Sequence, residues 1–139
     1  MNDSSSGRLA EALQEWQDRD WRKEVTQALM RVLDLWDVAG HEQLKLLGSS
    51  EDAMEYLGRL REGVELLPND EQSWRRAMAI LSIQRSLEVF APENPEWRDD
   101  WVQQPLTGLG HERPLDLMLR QGLPGIERVR VYAKGLGHK

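Results

Sequence analysis

Three histidines, His41, His111 and His138, are the side chains of this 139-residue sequence best suited to proton transfer or metal binding near neutral pH. No two of them share the i, i+4 spacing of a zinc-binding helix, and no carboxylate motif accompanies any of them. The chain has no Cys, so it offers no thiolate nucleophile, no thiolate metal site and no disulfide framework. It contains neither a Gly-x-Ser-x-Gly elbow nor a phosphate-binding P-loop. Gly108-Leu109-Gly110 is a bare G-x-G, and a dinucleotide site needs a strand and a helix on either side of it. Gly122-Leu123-Pro124-Gly125 can turn free N–H groups toward an anion, but it reads more simply as one helix's stop followed by the next one's start. No catalytic, metal or cofactor set emerges, and the residues point to a binder rather than an enzyme.

Charge is more informative. The chain carries 18 Lys+Arg and 24 Asp+Glu, a formal net of −6. That balance excludes a general coating of nucleic acid or anionic lipid, which works mostly by charge neutralisation. Residues 1–105 hold 12 basic and 21 acidic side chains, a net of −9, whereas residues 106–139 hold six and three, a net of +3. The basic end is either a set of solvated helix-end cations or a surface for an acidic partner. No stretch approaches the ~20 apolar residues of a membrane span, and Met1–Gly7 lacks the basic-then-apolar order of a signal peptide. A cytoplasmic protein with no membrane association is the expectation.

The elements that must position any site are helices, because apolar residues recur at helical spacing and nowhere alternate long enough for a strand. Residues 1–24 read as a partly disordered extension, with Leu9, Ala12, Leu13 and Trp16 forming a weak helical stripe and Asp18-Arg19-Asp20 a break. Val25, Ala28, Leu29, Val32, Leu33 and Trp36 follow as the stripe of a core-facing helix stopped by Gly40. A short helix at about 41–47, a Gly48-Ser49-Ser50 turn, a capping box at Ser49 and Asp52, and a helix at about 51–61 have the spacing of a helix-turn-helix. After the connector Leu66-Leu67-Pro68-Asn69-Asp70, the run from Ser73 to Phe90 puts Ile80, Ile83, Leu87 and Phe90 at the three–four steps of a helix–helix seam, within one subunit or between two. Asn94-Pro95 starts a short helix with Trp97 and Trp101 one turn apart. Pro114 and Pro124-Gly125 start the last two helices, and Gly122 and Gly135 stop them. The class is all-α: an N-terminal helix-turn-helix-like bundle at 25–70 followed by a small helical domain at 71–139.

The C-terminal third has a recognisable order. Trp101, Pro105, Leu106-Thr107-Gly108, Arg113-Pro114-Leu115-Asp116-Leu117-Met118, Gly122, Gly125-Ile126 and Val129-Arg130-Val131-Tyr132 resemble the toxin-binding C-terminal domain of the Xre/MbcA/ParS-type antitoxins. The resemblance covers about 73–135, and residues 25–62 resemble the family's helix-turn-helix. Two differences stand out: Leu106 replaces an Asn after Pro105, and Leu109-Gly110-His111-Glu112 lengthens the loop.

The resemblance implies a type II antitoxin whose partner is a RES-domain toxin that degrades NAD⁺. It also implies a homodimer, formed through helix 73–90, within a larger toxin–antitoxin complex. Inhibition would be steric, with Arg128, Arg130 and Lys134 meeting acidic toxin groups and the flexible tail Gly135-Leu136-Gly137-His138-Lys139 entering the cleft. Operator DNA would be read by Ser49, Ser50, Arg59 and Arg61, although residues 49–62 have a net charge of −2. The alternative is a helix-turn-helix transcription regulator or adaptor without a toxin partner.

Overall fold

The computed structural model describes residues 3–49 and 54–137. Its helices are α1 (Asp3–Trp16), α2 (Arg19–Leu35), α3 (Gly40–Leu46), α4 (Met54–Glu62), α5 (Glu71–Phe90), α6 (Pro95–Asp100), α7 (Pro114–Gln121) and α8 (Leu123–Lys134). Short 3-10 turns lie at Trp101–Gln103 and Thr107–Leu109, and no strand occurs among the described residues. The protein is all-α, as its periodicity predicts.

The described part of the N-terminal 24 residues is helical. The break expected at Asp18-Arg19-Asp20 separates α1 from α2, and it is a helix start as well: the Asp18 carboxylate accepts from the N–H of Trp21 at 3.1 Å and caps α2. Trp16 holds α1 against the body. Its ring is 1% exposed, its Nε1 donates to the Pro68 carbonyl at 3.0 Å, and Trp21 meets it edge-on at 5.7 Å. Downstream, α2 buries Leu29, Leu33 and the adjoining Trp36 completely. Gly40 opens α3 rather than closing α2, which has already ended at Leu35.

Two short helices, α3 and α4, stand close to where the spacing predicts them. The Ser50–Asp52 part of the expected capping box lies outside the described residues. The α3–α4 corner packs on α2 through α4 and on α7 through α3. A buried Thr26 hydroxyl ties the connector down, donating to the Arg22 carbonyl at 2.7 Å and accepting from the Leu67 N–H at 3.2 Å.

The central strut is α5, which starts two residues earlier than the spacing predicts because Asp70 caps it by accepting from the Ser73 N–H at 2.7 Å. It packs on α2 on one side and on α8 on the other. Ile80, Ile83 and Leu87 are 0% exposed, so the seam is used within the subunit, and Phe90 is its one member left facing out. Burying each such side chain stabilises the fold by about 1.5–3 kcal/mol. One continuous apolar core, from Trp16 to Ala133, joins the helix-turn-helix to the C-terminal helices.

Two polar links cross the same boundary. The Trp36 indole donates to the Gln84 amide oxygen at 2.9 Å in a buried site. Gln103 donates to the Trp36 carbonyl at 3.0 Å and accepts from Arg113 at 2.7 Å.

Candidate functional site

The C-terminal helices are set by their punctuation. Asn94 caps α6, accepting from the Trp97 N–H at 3.1 Å, with Pro95 at the first helical position. The lengthened loop closes on itself: Leu106 donates its N–H to the Glu112 carbonyl at 3.2 Å, His111 donates to Leu106 at 2.9 Å, and Leu109 is buried beneath. Between α7 and α8 the chain reverses at Gly122, whose φ of 69° and ψ of −141° suit only glycine. Gly108 serves a different need. A Cβ there would stand 2.5 Å from the Tyr132 ring, so the missing side chain is what lets that ring lie against the loop.

This arrangement leaves a groove of about 820 Å³ between the end of α5, α6 and α8, lined mainly by Phe90, Trp97, Trp101, Tyr132, Val131 and Leu136. Phe90 and Trp97 pack with ring centres 5.4 Å apart, and Trp101 and Tyr132 with centres 6.2 Å apart. Asp100 is the sole charged residue on the lining among the described residues, and Gln104 donates to it at 2.6 Å. The spacing of Trp97 and Trp101 is plain in the sequence, but their convergence with Tyr132 and Phe90 is not. Four of the chain's nine aromatic residues falling within 90–132 is the clue that points here.

The residues expected to meet a toxin do not share one face. Arg128 and Lys134 are exposed on α8, and neither makes an ion pair among the described residues. Arg130 turns aside to pair with Glu127 at 2.5 Å, beside Trp74 and Met78 of α5. Near Arg128, the hydrogen bonds from Arg120 hold the Glu112 carboxyl below its ordinary range, with a smaller contribution from the Arg128 charge. The segment expected as a free tail is packed back as far as Gly137. The Gly135 N–H donates to the Val131 and Tyr132 carbonyls, Leu136 packs against the core, and Gly137 lies beside Phe90. His138 and Lys139 lie outside the described residues.

The residues expected to meet DNA are also dispersed. Arg61 grips Asp34 of α2 with two hydrogen bonds of 2.9 and 3.0 Å and also donates to Gln43 at 2.9 Å. Burial pushes the Asp34 carboxyl up, but the bonds from Arg61 and Gln43 and the Arg61 charge together outweigh it and leave the pKa below its ordinary value. Arg59 pairs with Glu65 at 2.7 Å. Ser49 borders a small polar hollow with Arg76, whose guanidinium donates to the Leu46 carbonyl at 3.1 Å and is pushed down in pKa by burial. Ser50 lies outside the described residues.

Among the described residues no group of three or more His, Asp or Glu could hold a metal ion, and no helix is long and apolar enough to cross a membrane. An all-helical fold whose C-terminal half presents an aromatic groove fits a binding module. Residues 86–132 match the antitoxin Xre/MbcA/ParS C-terminal toxin-binding domain, so the chain belongs to that antitoxin family. A curated relative described as the uncharacterized protein y4oB, from Sinorhizobium fredii (strain NBRC 101917 / NGR234), is 34% identical over 107 residues, covering 76% of this chain and 78% of that protein. No solved structure matches the chain at a significant level.

Proposed function

We propose that this protein is the antitoxin of a type II toxin–antitoxin pair and that it inhibits a RES-domain, NAD⁺-degrading toxin by covering it, without catalysis and without a cofactor. The match of residues 86–132 to a toxin-binding domain carries the reading. The RES class comes from the resemblance of 73–135. The free cations Arg128 and Lys134 support a docking surface for acidic groups around a pocket that must accept a pyrophosphate. The same reading assigns the end of the chain, residues 135–139, to narrowing the pocket's entrance. Assembly as a homodimer within a larger cytoplasmic complex belongs to the same reading.

Co-expression tests it. The RES-domain protein encoded beside this gene is expected to arrest growth alone, to co-purify with this chain, and to lose its NAD⁺ consumption in the complex. Absence of such a neighbour, or arrest that this chain does not relieve, rejects the reading in favour of a regulator or adaptor without a toxin. Deleting residues 135–139 is expected to weaken inhibition more than docking, and unchanged inhibition would remove the tail from the mechanism.

We further infer that the helix-turn-helix serves mainly as scaffold rather than as a reader of an operator. Base and phosphate contacts need free donors, and both arginines of α4 are engaged within the chain. A gel shift on the upstream region at two salt concentrations tests this, since phosphate contacts must weaken steeply as salt rises. A salt-sensitive, sequence-specific shift would restore autoregulation.

A further inference from the structure

The aromatic groove has a definite chemistry at its rim. Phe90 and Val131, on opposite sides, are 46% and 61% exposed, which is unusual for large apolar side chains beside an open hollow. The α6 wall is acidic: Glu96 and Asp100 are exposed there, and Glu93 precedes them. The one cation of α6 does not offset them. Arg98 is turned back and donates to the Ala91 and Pro92 carbonyls at 2.6 and 2.8 Å. Among the described residues no Lys or Arg lines the groove, and Asp100 is part of its lining. A surface of this kind combines an apolar floor, rich in the aromatic side chains that dominate binding energy, with one uncompensated negative edge.

We propose that this groove is the seat of an apolar segment of the partner toxin that carries Lys or Arg along the edge facing α6. This rests on the antitoxin reading and deepens it, because the matched residues 86–132 form α6, most of α8 and the end of α5, which are the groove's walls. The acidic α6 wall calls for an occupant with a basic edge, and the match of these residues to a toxin-binding domain names the toxin. A second copy, whose Arg128 and Lys134 lie one turn to either side of Val131, is the competing occupant that the oligomeric-state arm of the test separates. The toxin therefore meets two opposite charges on one domain: acidic groups on α6 beside the groove, and the cations Arg128 and Lys134 on the outer face of α8. That arrangement fixes the orientation of docking as well as its strength.

The test uses the full-length antitoxin and the purified RES-domain toxin encoded beside it, with affinity measured by titration calorimetry at two salt concentrations. Val131→Asp is expected to weaken binding by about 30-fold or more, as for a buried apolar anchor at an interface. Asp100→Lys is expected to weaken it by about 10-fold and to flatten its salt dependence, because an attraction has been removed. Both positions are at the surface, and unchanged helical circular dichroism and melting confirm that the variants fold. Glu11→Lys on the distant α1 serves as control and is expected to leave affinity unchanged.

Unaltered affinity in both groove variants, with the toxin still bound, overturns the groove proposal while leaving the antitoxin reading intact. If the unaltered chain does not bind the toxin at all, the antitoxin reading itself fails. If light scattering shows a dimer of the free chain that Val131→Asp dissociates, the groove is a self-interface and the proposal is overturned.

Discussion

Trp36 and Gln84 are joined by a 2.9 Å hydrogen bond between two buried side chains, one from the end of the α2 region and the other from the middle of the central helix. The bond pins the helix-turn-helix to the strut that also carries the groove. Replacing Gln84 by Leu leaves the indole N–H buried and unpaired, at a cost of about 1–3 kcal/mol. Urea unfolding of Gln84→Leu is expected to show that loss. The double variant Trp36→Phe with Gln84→Leu is expected to recover part of it, because the orphaned donor is gone. A double variant no better than the sum of the single ones would mean that packing, rather than the bond, carries the link.

Acid is expected to loosen the same body at two carboxylates. Hydrogen bonds from Arg113 lead in holding the Asp116 pKa below its ordinary 3.8, and Asp34 is lowered from 3.8 against the opposing effect of its burial. A depressed carboxyl contributes stability that is fully present above its unfolded pKa and is lost as pH falls through its lower folded value. Stability should therefore be flat with respect to these two groups at neutral pH and decline below about pH 4. Asp34→Asn together with Asp116→Asn should flatten the acid limb of chemical unfolding below about pH 4. An acid limb of unchanged slope in that variant would place the sensitivity in other carboxylates.

The helices were legible because their signals are local. The Val25–Trp36 stripe, the Asn94-Pro95 start and the Gly122 stop each act within a few residues, and each stands in the fold where the spacing puts it. The break expected at Asp18-Arg19-Asp20 likewise falls between α1 and α2, and only the cap that Asp18 gives α2 goes beyond what the spacing reveals. The groove was not legible, since Phe90, Trp97, Trp101 and Tyr132 come from three helices and a 3-10 turn whose meeting is a tertiary fact. The arginine commitments were hidden likewise. Arg61 is 27 residues from Asp34, and no periodicity connects them.

Gly108 offers a way to disturb the groove with little effect on the fold. A Cβ there would stand 2.5 Å from the Tyr132 ring and 2.7 Å from its hydroxyl oxygen. Tyr132 is only half-buried, so its ring can swing away rather than strain the backbone. Gly108→Ala is accordingly expected to lower stability by less than about 1 kcal/mol, in the range of ordinary surface substitutions. It should also change the near-ultraviolet circular dichroism as Tyr132 leaves Trp101, and weaken toxin binding by about 10-fold, as loss of an aromatic contact at an interface does. A large fall in melting temperature would show that the ring cannot move, and unchanged affinity would show that its position does not matter to the partner.

Arg61 separates a scaffold from a reader of DNA. As a phosphate contact, its loss would weaken binding to every sequence and reduce the salt slope by about one. As a structural cation, its loss removes the double hydrogen bond to Asp34 and the bond to Gln43. Both partners of the ion pair are more than a third exposed, at 38% and 47%, so solvent screening limits the effect to about 1 kcal/mol or less. Arg61→Ala is expected to lower the urea midpoint modestly and to leave toxin binding unchanged, with no salt-sensitive gel shift in either protein. The converse variant is sharper. Asp34→Asn removes the charge that holds Arg61 while keeping the side chain's shape, and leaves Arg61 only its weaker bond to Gln43. If α4 is scaffold, loosening Arg61 in this way should create non-specific, salt-sensitive DNA binding where the unaltered chain shows none. A specific shift already present in the unaltered chain, and abolished by Arg61→Ala, would mean that the pairs open to admit DNA and that the helix-turn-helix reads an operator after all.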